Sequence, residues 1–262
     1  MRSKLQFCLL VIGAVGAGAG LAGTMPDDGY LTPELKTGET YADVFSLLHS
    51  ARADGYDEYV HRNGGSADYA VTSVDHAGWN FKGSSRLDGQ PPDAIDAYRD
   101  EGRTVCVGGT CFRATEASGL IYNPILWGVP PHRLVTGMTW TVHIDGAWQL
   151  GGPDSAQTVT VVHVDPSTDT VTLMREGTST GFFDSQSPQL SLTRQGQTSV
   201  VTIIPGRTHW KGYATFRKGV IISDELVATR QDSLRDKDGL ESKASERWIM
   251  LLDAAPAPAD PD

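Results

Sequence analysis

The chain has 262 residues, with 32 acidic against 22 basic side chains and a formal charge of −10. Such a field repels a phosphate backbone and disfavours an anionic membrane surface, which argues against a nucleic-acid or acidic-lipid docking role. The length is enough for one large domain, or two small ones, to bury a substantial core.

The N-terminus reads as a secretory signal. Arg2 and Lys4 form a basic start, Leu5 to Val15 an apolar stretch, and residues 16–23 a run dominated by Gly and Ala. Translocation needs this order, and Ala17-Gly18-Ala19 supplies the small residues that signal peptidase accepts. The expected cut lies between residues 19 and 23, so residues 1–23 are the signal peptide. An uncleaved anchor would need ~20 strongly apolar residues, and the second half of this segment is too rich in Gly. Cys8 lies inside the apolar stretch, without a small-residue lipobox, and leaves with the leader. Removing Arg2 and Lys4 leaves 20 basic and 32 acidic residues, a charge of −12. No later segment is apolar enough to span a membrane, so the expected location is periplasmic or secreted.

Residues 24–37 read as an extended arm. Tyr41, Val44, Phe45, Leu47, Leu48 and Ala51 recur at helical spacing, with Thr40 as N-cap and Asp43 in the first turn, which predicts an amphipathic helix over 40–53. Short strands are expected at 69–74 and 79–86. Residues 93–101 read either as a short helix behind Pro92 or as a lead into the next hairpin. In Cys106-Val-Gly-Gly-Thr-Cys111 the two glycines suit a two-residue turn with positive φ. Cys106 then falls opposite Cys111 at a non-hydrogen-bonded pair, where Cα atoms approach to ~4.5 Å and a disulfide is reachable. A redox pair would have tighter C-x-x-C spacing, and a metal site would need further ligands nearby.

Residues 120–133, Leu-Ile-Tyr-Asn-Pro-Ile-Leu-Trp-Gly-Val-Pro-Pro-His-Arg, are apolar, but their three prolines forbid a central strand. They are either a connection pinned to the core or an apolar recognition loop, with Asn123 and Trp127 as candidate ligand contacts. After them come strands at 139–144, 157–164, 170–175, 188–194, 198–204, 212–217, 220–230 and 246–252. Turn signals at 145–146, 165–169, 195–196, 205–206, 218–219 and 238–239 separate them. Many short strands without a β–helix–β rhythm predict a mainly β fold, an antiparallel sheet shaped as a curved half-barrel or a sandwich, with one N-terminal helix. The β-rich domain is expected over 24–253, with possible blocks at 38–119 and 134–253, followed by a disordered Pro/Ala tail at 254–262.

Chemical motifs are sparse. Gly177-Thr-Ser-Thr-Gly181 matches G-x-S-x-G, which makes Ser179 a candidate hydrolase nucleophile if the chain turns from strand to helix there. Asp236-Lys-Asp238-Gly239 resembles half of an EF-hand loop but lacks the first and twelfth carboxylates. The seven histidines show no ligand spacing, and no cofactor or metal is implied. Residues 205–213 concentrate Arg207, His209, Trp210, Lys211 and Tyr213. Of these, Arg207, His209, Trp210 and Tyr213 join Asn123 and Trp127 as the candidate ligand set, with Trp210 or Tyr213 stacking on a ring. Asp224 and Glu225 are adjacent in a strand and point to opposite faces. These features suggest an exported, non-catalytic binding module for a lipid, an apolar molecule or another small ligand. A protein-interaction scaffold in the cell envelope, with an envelope protein as partner, is the first alternative; a serine hydrolase using Ser179 is the second.

Overall fold

The structure is a computed structural model that describes residues 29–75, 78–100, 104–107, 110–113, 121–144, 150, 154–180 and 189–256. The expected signal peptide therefore lies outside the described residues, as do the hairpin turns at 108–109 and 145–146. The fold is mainly β and antiparallel, with all strands in one open sheet. In chain order these are β1 Thr40–Ala53, β2 Tyr59–Val74, β3 Trp79–Leu87, β4 Asp93–Asp100, β5 Thr104–Val107 and β6 Thr110–Arg113, then a one-turn helix α1 Pro124–Trp127. There follow β7 Thr139–His143, β8 Ala156–Asp165, β9 Thr170–Thr180, β10 Gln189–Arg194, β11 Gln197–Ile204, β12 Arg207–Arg217, β13 Val220–Arg235 and β14 Glu241–Pro256. Across the sheet the order is β6-β5-β4-β3-β2-β1-β14-β13-β12-β9-β8-β7. No helix among the described residues is long and apolar enough to cross a membrane.

The N-terminal helix is corrected. Residues 40–53 form a strand, not a helix. β1 lies between β2 and β14, paired from Tyr41↔Pro256 to Ala53↔Ala244 on one side and from Thr40↔Ala70 to Ala51↔Tyr59 on the other. Its apolar residues fit helical spacing only because Val44 and Leu48 stand on the opposite face of the strand from Tyr41, Phe45 and Leu47; pairing then overrides local propensity. Residues 93–100 are likewise a strand, paired with β3. In addition, β14 runs on to Pro256, so Ala254 to Pro256 pair with β1, and 257–262 lie outside the described residues. β5 and β6 pair with Cys106 opposite Cys111 and Val107 opposite Thr110.

The turns follow their sequence signals. Gln195-Gly196 and Lys218-Gly219 have positive φ at both residues, as a tight hairpin requires. Asp165 caps the β8–β9 turn by accepting the Ser167 amide at 2.9 Å. Pro205-Gly206 is different. β11 and β12 both pair with β13, along Ser233–Arg235 and Val220–Arg230 respectively. Pro205 has no N–H to give a ladder, and the Gly206 amide is donated to the Asp232 carboxylate at 2.9 Å instead.

Three apolar clusters close one face. The largest joins Val159, Val161, Val171, Leu173, Phe216 and Leu226 to Leu31, Tyr122, Leu126 and Trp127. A second gathers Val71, Trp79, Phe81, Leu35 and Ile121, with Tyr41 against it. A third, under the β10–β11 hairpin, holds Leu192, Val201, Ile203, Leu234, Ala53 and Ala244.

Glycine fits where side chains must cross. A Cβ on Gly212 of β12 would meet the Glu225 carbonyl at 2.2 Å and Leu226 Cδ1 at 2.8 Å. Gly212→Ala is therefore expected to cost about 2–3 kcal/mol through overpacking, read as a lower urea midpoint at unchanged m-value.

Candidate functional site

The covered face carries two buried charge clusters. The first lies under α1. Asn123 caps that helix by accepting the Ile125 amide at 2.9 Å, and Gly128 ends it at φ +75°. The short helix is tied to the sheet. Trp140 Nε1 donates to the Trp127 carbonyl at 2.7 Å, and Gln157 Nε2 donates to the Leu126 carbonyl at 2.6 Å. Trp127 then lies against the Arg175 guanidinium, 4.6 Å from ring centroid to Cζ. Arg175 Nη2 donates to both Asp224 oxygens, at 2.8 and 2.7 Å. In register Arg175 is opposite Gly212, whose missing side chain leaves room for the guanidinium to cross β12 toward β13. Burial raises the Asp224 carboxyl, and Arg175 only partly offsets this. Trp210 crosses Gly177 in the same way to donate from Nε1 to Gln157 Oε1 at 3.0 Å.

The second cluster spans β13, β14 and β1. Arg230 makes ion pairs with Asp232 at 2.7 Å and with Glu246 at 2.9 Å, and Glu246 also holds His49 Nε2 at 2.6 Å. Trp248 sits between Arg230 and His49, with the guanidinium 5.0 Å and the imidazole ring 4.9 Å from its own ring. Tyr59 meets His49 edge-on. Arg230, Asp232 and Glu246 are buried, whereas the His49 side chain is 19% exposed. Burial pushes the Asp232 carboxyl up to about 7, and neighbouring Glu246 adds to the rise. Against its own burial penalty, Glu246 is held down to about 2 by hydrogen bonds from His49 and Asp232 and by the charge of Arg230.

Between the clusters β1 changes character. Tyr41 joins the second apolar cluster and Ala53 the third, but Phe45 and Leu47 belong to none of the three among the described residues. They are half-buried, on the same face as Asp43 and His49. Their register neighbours are Leu252 and Met250 on β14, and Gly65 and Asn63 on β2. Asp43 accepts a hydrogen bond from Tyr69 at the other end of this row. The result is a half-exposed apolar strip with a buried carboxylate at each end.

The sequence-predicted ligand residues do not share one surface. Asn123, Trp127 and Trp210 are buried under α1 and serve packing. Arg207, His209 and Tyr213 are exposed on the opposite face of β12, because alternate residues of a strand point apart. His209 borders an open outer hollow of about 280 Å³ with Thr141, Thr158, Glu176 and Thr178. The segment 121–133 is pinned to the core at Ile121, Tyr122, Leu126 and Trp127, while Val129 beyond the helix is exposed. Ser179 lies inside β9, buried, and donates to the Leu150 carbonyl at 2.9 Å. Residues 181–188, where an elbow would turn, lie outside the described residues, and His209, one step along β12 from Ser179's register partner Thr208, points to the other face. His49, Arg230, Asp232 and Glu246 escaped sequence reasoning because they are distant along the chain. Their only sequence trace is charged residues at inward positions of otherwise apolar strand faces.

No known protein family matches the chain, and no curated protein matches it. Among solved structures, lipovitellin, described for its lipid–protein interactions, is similar at a TM-score of 0.43 and 13% identity over 87% of this chain. This chain spans only 26% of that one. An outer membrane channel from Pseudomonas putida F1 gives a TM-score of 0.20 at 12% identity, over 89% of this chain and 100% of that one. OmpT, an outer membrane protein of Vibrio cholerae, gives 0.21 at 7% identity, over 84% and 100%. At these scores the likenesses define neither a fold family nor a function.

Two predictions follow from the buried charges. Asp224→Ala strands the Arg175 guanidinium and is expected to cost about 3–5 kcal/mol, whereas the double replacement Arg175→Met, Asp224→Leu recovers most of that loss in denaturant unfolding. Stability also depends on pH with two limbs. Glu246, lowered from 4.5 to about 2, stabilises above its unfolded value, and this is lost as pH falls through that window. Asp232, raised from 3.8 to about 7, contributes stability below its unfolded value that is lost as pH rises through the folded one. Asp43 and Asp224 are also raised by burial and act in the same sense as Asp232. Thermal midpoints measured across pH should peak at about pH 4–5 and fall on both sides.

Proposed function

We propose that the chain is an exported, non-catalytic binding protein that receives an apolar ligand, such as an acyl chain, on the strip formed by Phe45 and Leu47 with Met250 and Leu252. The observation that carries this reading is the gap in the covered face. Both ends of β1 are sealed by apolar clusters, while its middle keeps half-exposed apolar side chains on the same face. Such a strip loses free energy to water until something apolar covers it, at ~25 cal/mol per Å². The opposite face is polar along β12, three strands from β1, where Arg207, His209, Lys211 and Arg217 are exposed, although Val44, Val60 and Leu251 are exposed nearer the strip. That composition suits water and not lipid tails, which supports a ligand-carrying sheet over a membrane-embedded one.

Export rests on the leader and on the cysteines. Opposition of Cys106 and Cys111 in the β5–β6 register supports a cross-strand disulfide, which an oxidising compartment preserves. Protein recovered from its producing cell is expected to begin near residues 20–24 and to weigh two hydrogens less than its reduced form. Intact-mass spectrometry before and after reduction checks both.

Binding is tested with a neutral apolar fluorophore, N-phenyl-1-naphthylamine, displaced by decanol or decanoate. Leu47→Asp should weaken both by roughly tenfold or more, about 1.4 kcal/mol. Val44→Asp, on the same strand but 62% exposed on the opposite face, should leave them unchanged. Equal effects of the two substitutions would remove the strip as the site.

A further inference from the structure

The Arg230 cluster has a charge imbalance that its geometry fixes. One guanidinium faces two carboxylates, Asp232 and Glu246, all three buried. The set is neutral only with one further proton, carried by Asp232 or by His49 as imidazolium. A net buried charge is costly, so the protein must either hold that proton or let water in.

Asp232 also has a mechanical task. Its Oδ1 takes the Gly206 amide, at the break where β11 leaves off and β12 begins. Backbone cannot replace this bond easily. Pro205 offers no N–H, and a Cβ on Gly206 would lie 1.9 Å from the Gln231 carbonyl, so the corner is already pressed against β13. Beyond the corner, the β10–β11 hairpin is attached to the sheet by only a short ladder, Thr202 to Ile204 against Ser233 to Arg235. Its other anchors among the described residues include the third apolar cluster, the Arg194 guanidinium over Tyr56, and the Asp57 amide, donated to the Thr193 carbonyl at 2.7 Å.

We propose that the Arg230, Asp232, Glu246 and His49 cluster is a proton-operated latch for the β10–β11 hairpin. With its extra proton the cluster is neutral, Asp232 and Glu246 share a hydrogen bond, and the corner stays docked. Without it, two carboxylate charges compete for one guanidinium, the Gly206 anchor weakens, and the hairpin opens from β13. The groups facing Asp232 agree with this. Arg230 of its own strand and Glu246 of β14 face it directly, while His49 of β1 contacts Glu246 and Tyr59 of β2 meets His49. His61 beside His49 in register and Arg207 at the corner are exposed, and Arg194 of the hairpin lies over Tyr56. Lys243 and the Arg235–Glu241 pair sit at positions of the opposite face. No second buried cation is at hand among the described residues to replace the lost proton. The hairpin and the corner border the His49 end of β1, so the latch stands beside the strip without depending on what binds there.

Hydrogen–deuterium exchange, corrected for the chemical rate, measures the latch in the full-length protein. From about pH 5.5 to about pH 8, protection across residues 197–206 should fall roughly tenfold or more, while β12 residues 208–216 change little. Asp232→Asn keeps the acceptor for Gly206 and a donor for Glu246 without titrating, so it should flatten that dependence. An undiminished pH dependence in Asp232→Asn, or uniform loosening of both strands in the wild type, overturns the latch. If the variant does not fold, the carboxyl carbon of Asp232 in the wild type decides by NMR: titration near neutrality sustains the proposal, and titration in the ordinary aspartate range ends it.

Discussion

A wide antiparallel sheet must keep one face dry, and among the described residues short pieces of chain do it. Residues 29–35 and 121–134 lie over β7 to β9, β12, β13 and one end of β2 and β3. The β10–β11 hairpin covers the far end of β1, β13 and β14. The middle of β1 is left between them.

The same economy explains the buried charges. Over β12 the cover is thin, and long side chains fill the space by crossing glycines: Arg175 over Gly212 and Trp210 over Gly177. Each carries a polar tip into the interior and needs a partner there. Trp210 has a complete one in Gln157, which in turn holds the α1 backbone. Arg175 is served less fully. Asp224 takes Nη2, while Nε and Nη1 have no hydrogen-bond partner among the described residues and rest against Trp127 instead. The tryptophan face offers the guanidinium a partial substitute for water. In the Arg230 cluster the imbalance runs the other way, with more carboxylate than cation. One site is short of acceptors and the other short of a cation, so pH acts mainly on the second.

Much of the fold was legible in the sequence. The alternation in β7, β12 and β13 and the paired turns at 195–196 and 218–219 specify antiparallel strands on local grounds alone. β1 was not legible, because Thr40 to Ala53 satisfies a helical period and a strand period at once. Pairing with β2 and with β14, the latter roughly two hundred residues away, selects between them. The candidate site was less accessible still. Trp127 and Trp210 attract notice as ligand-stacking aromatics, yet they pack the interior, since a large aromatic near prolines or in a strand is an equally good plug. Arg230, Asp232 and Glu246 belong to no local motif. What distinguishes them is their even-numbered position on strands whose even face is apolar, and that face is known only once register is known.

The central claim is that the middle of β1 is open on the covered side and takes an apolar ligand there. Intermolecular NOEs between the methyl-labelled protein and unlabelled decanol test it most directly. The account predicts contacts from the ligand chain to the Leu47 and Met250 methyls and none to Val44 or Leu251. Contacts confined to Val44 and Leu251, or none at saturating ligand, would contradict it.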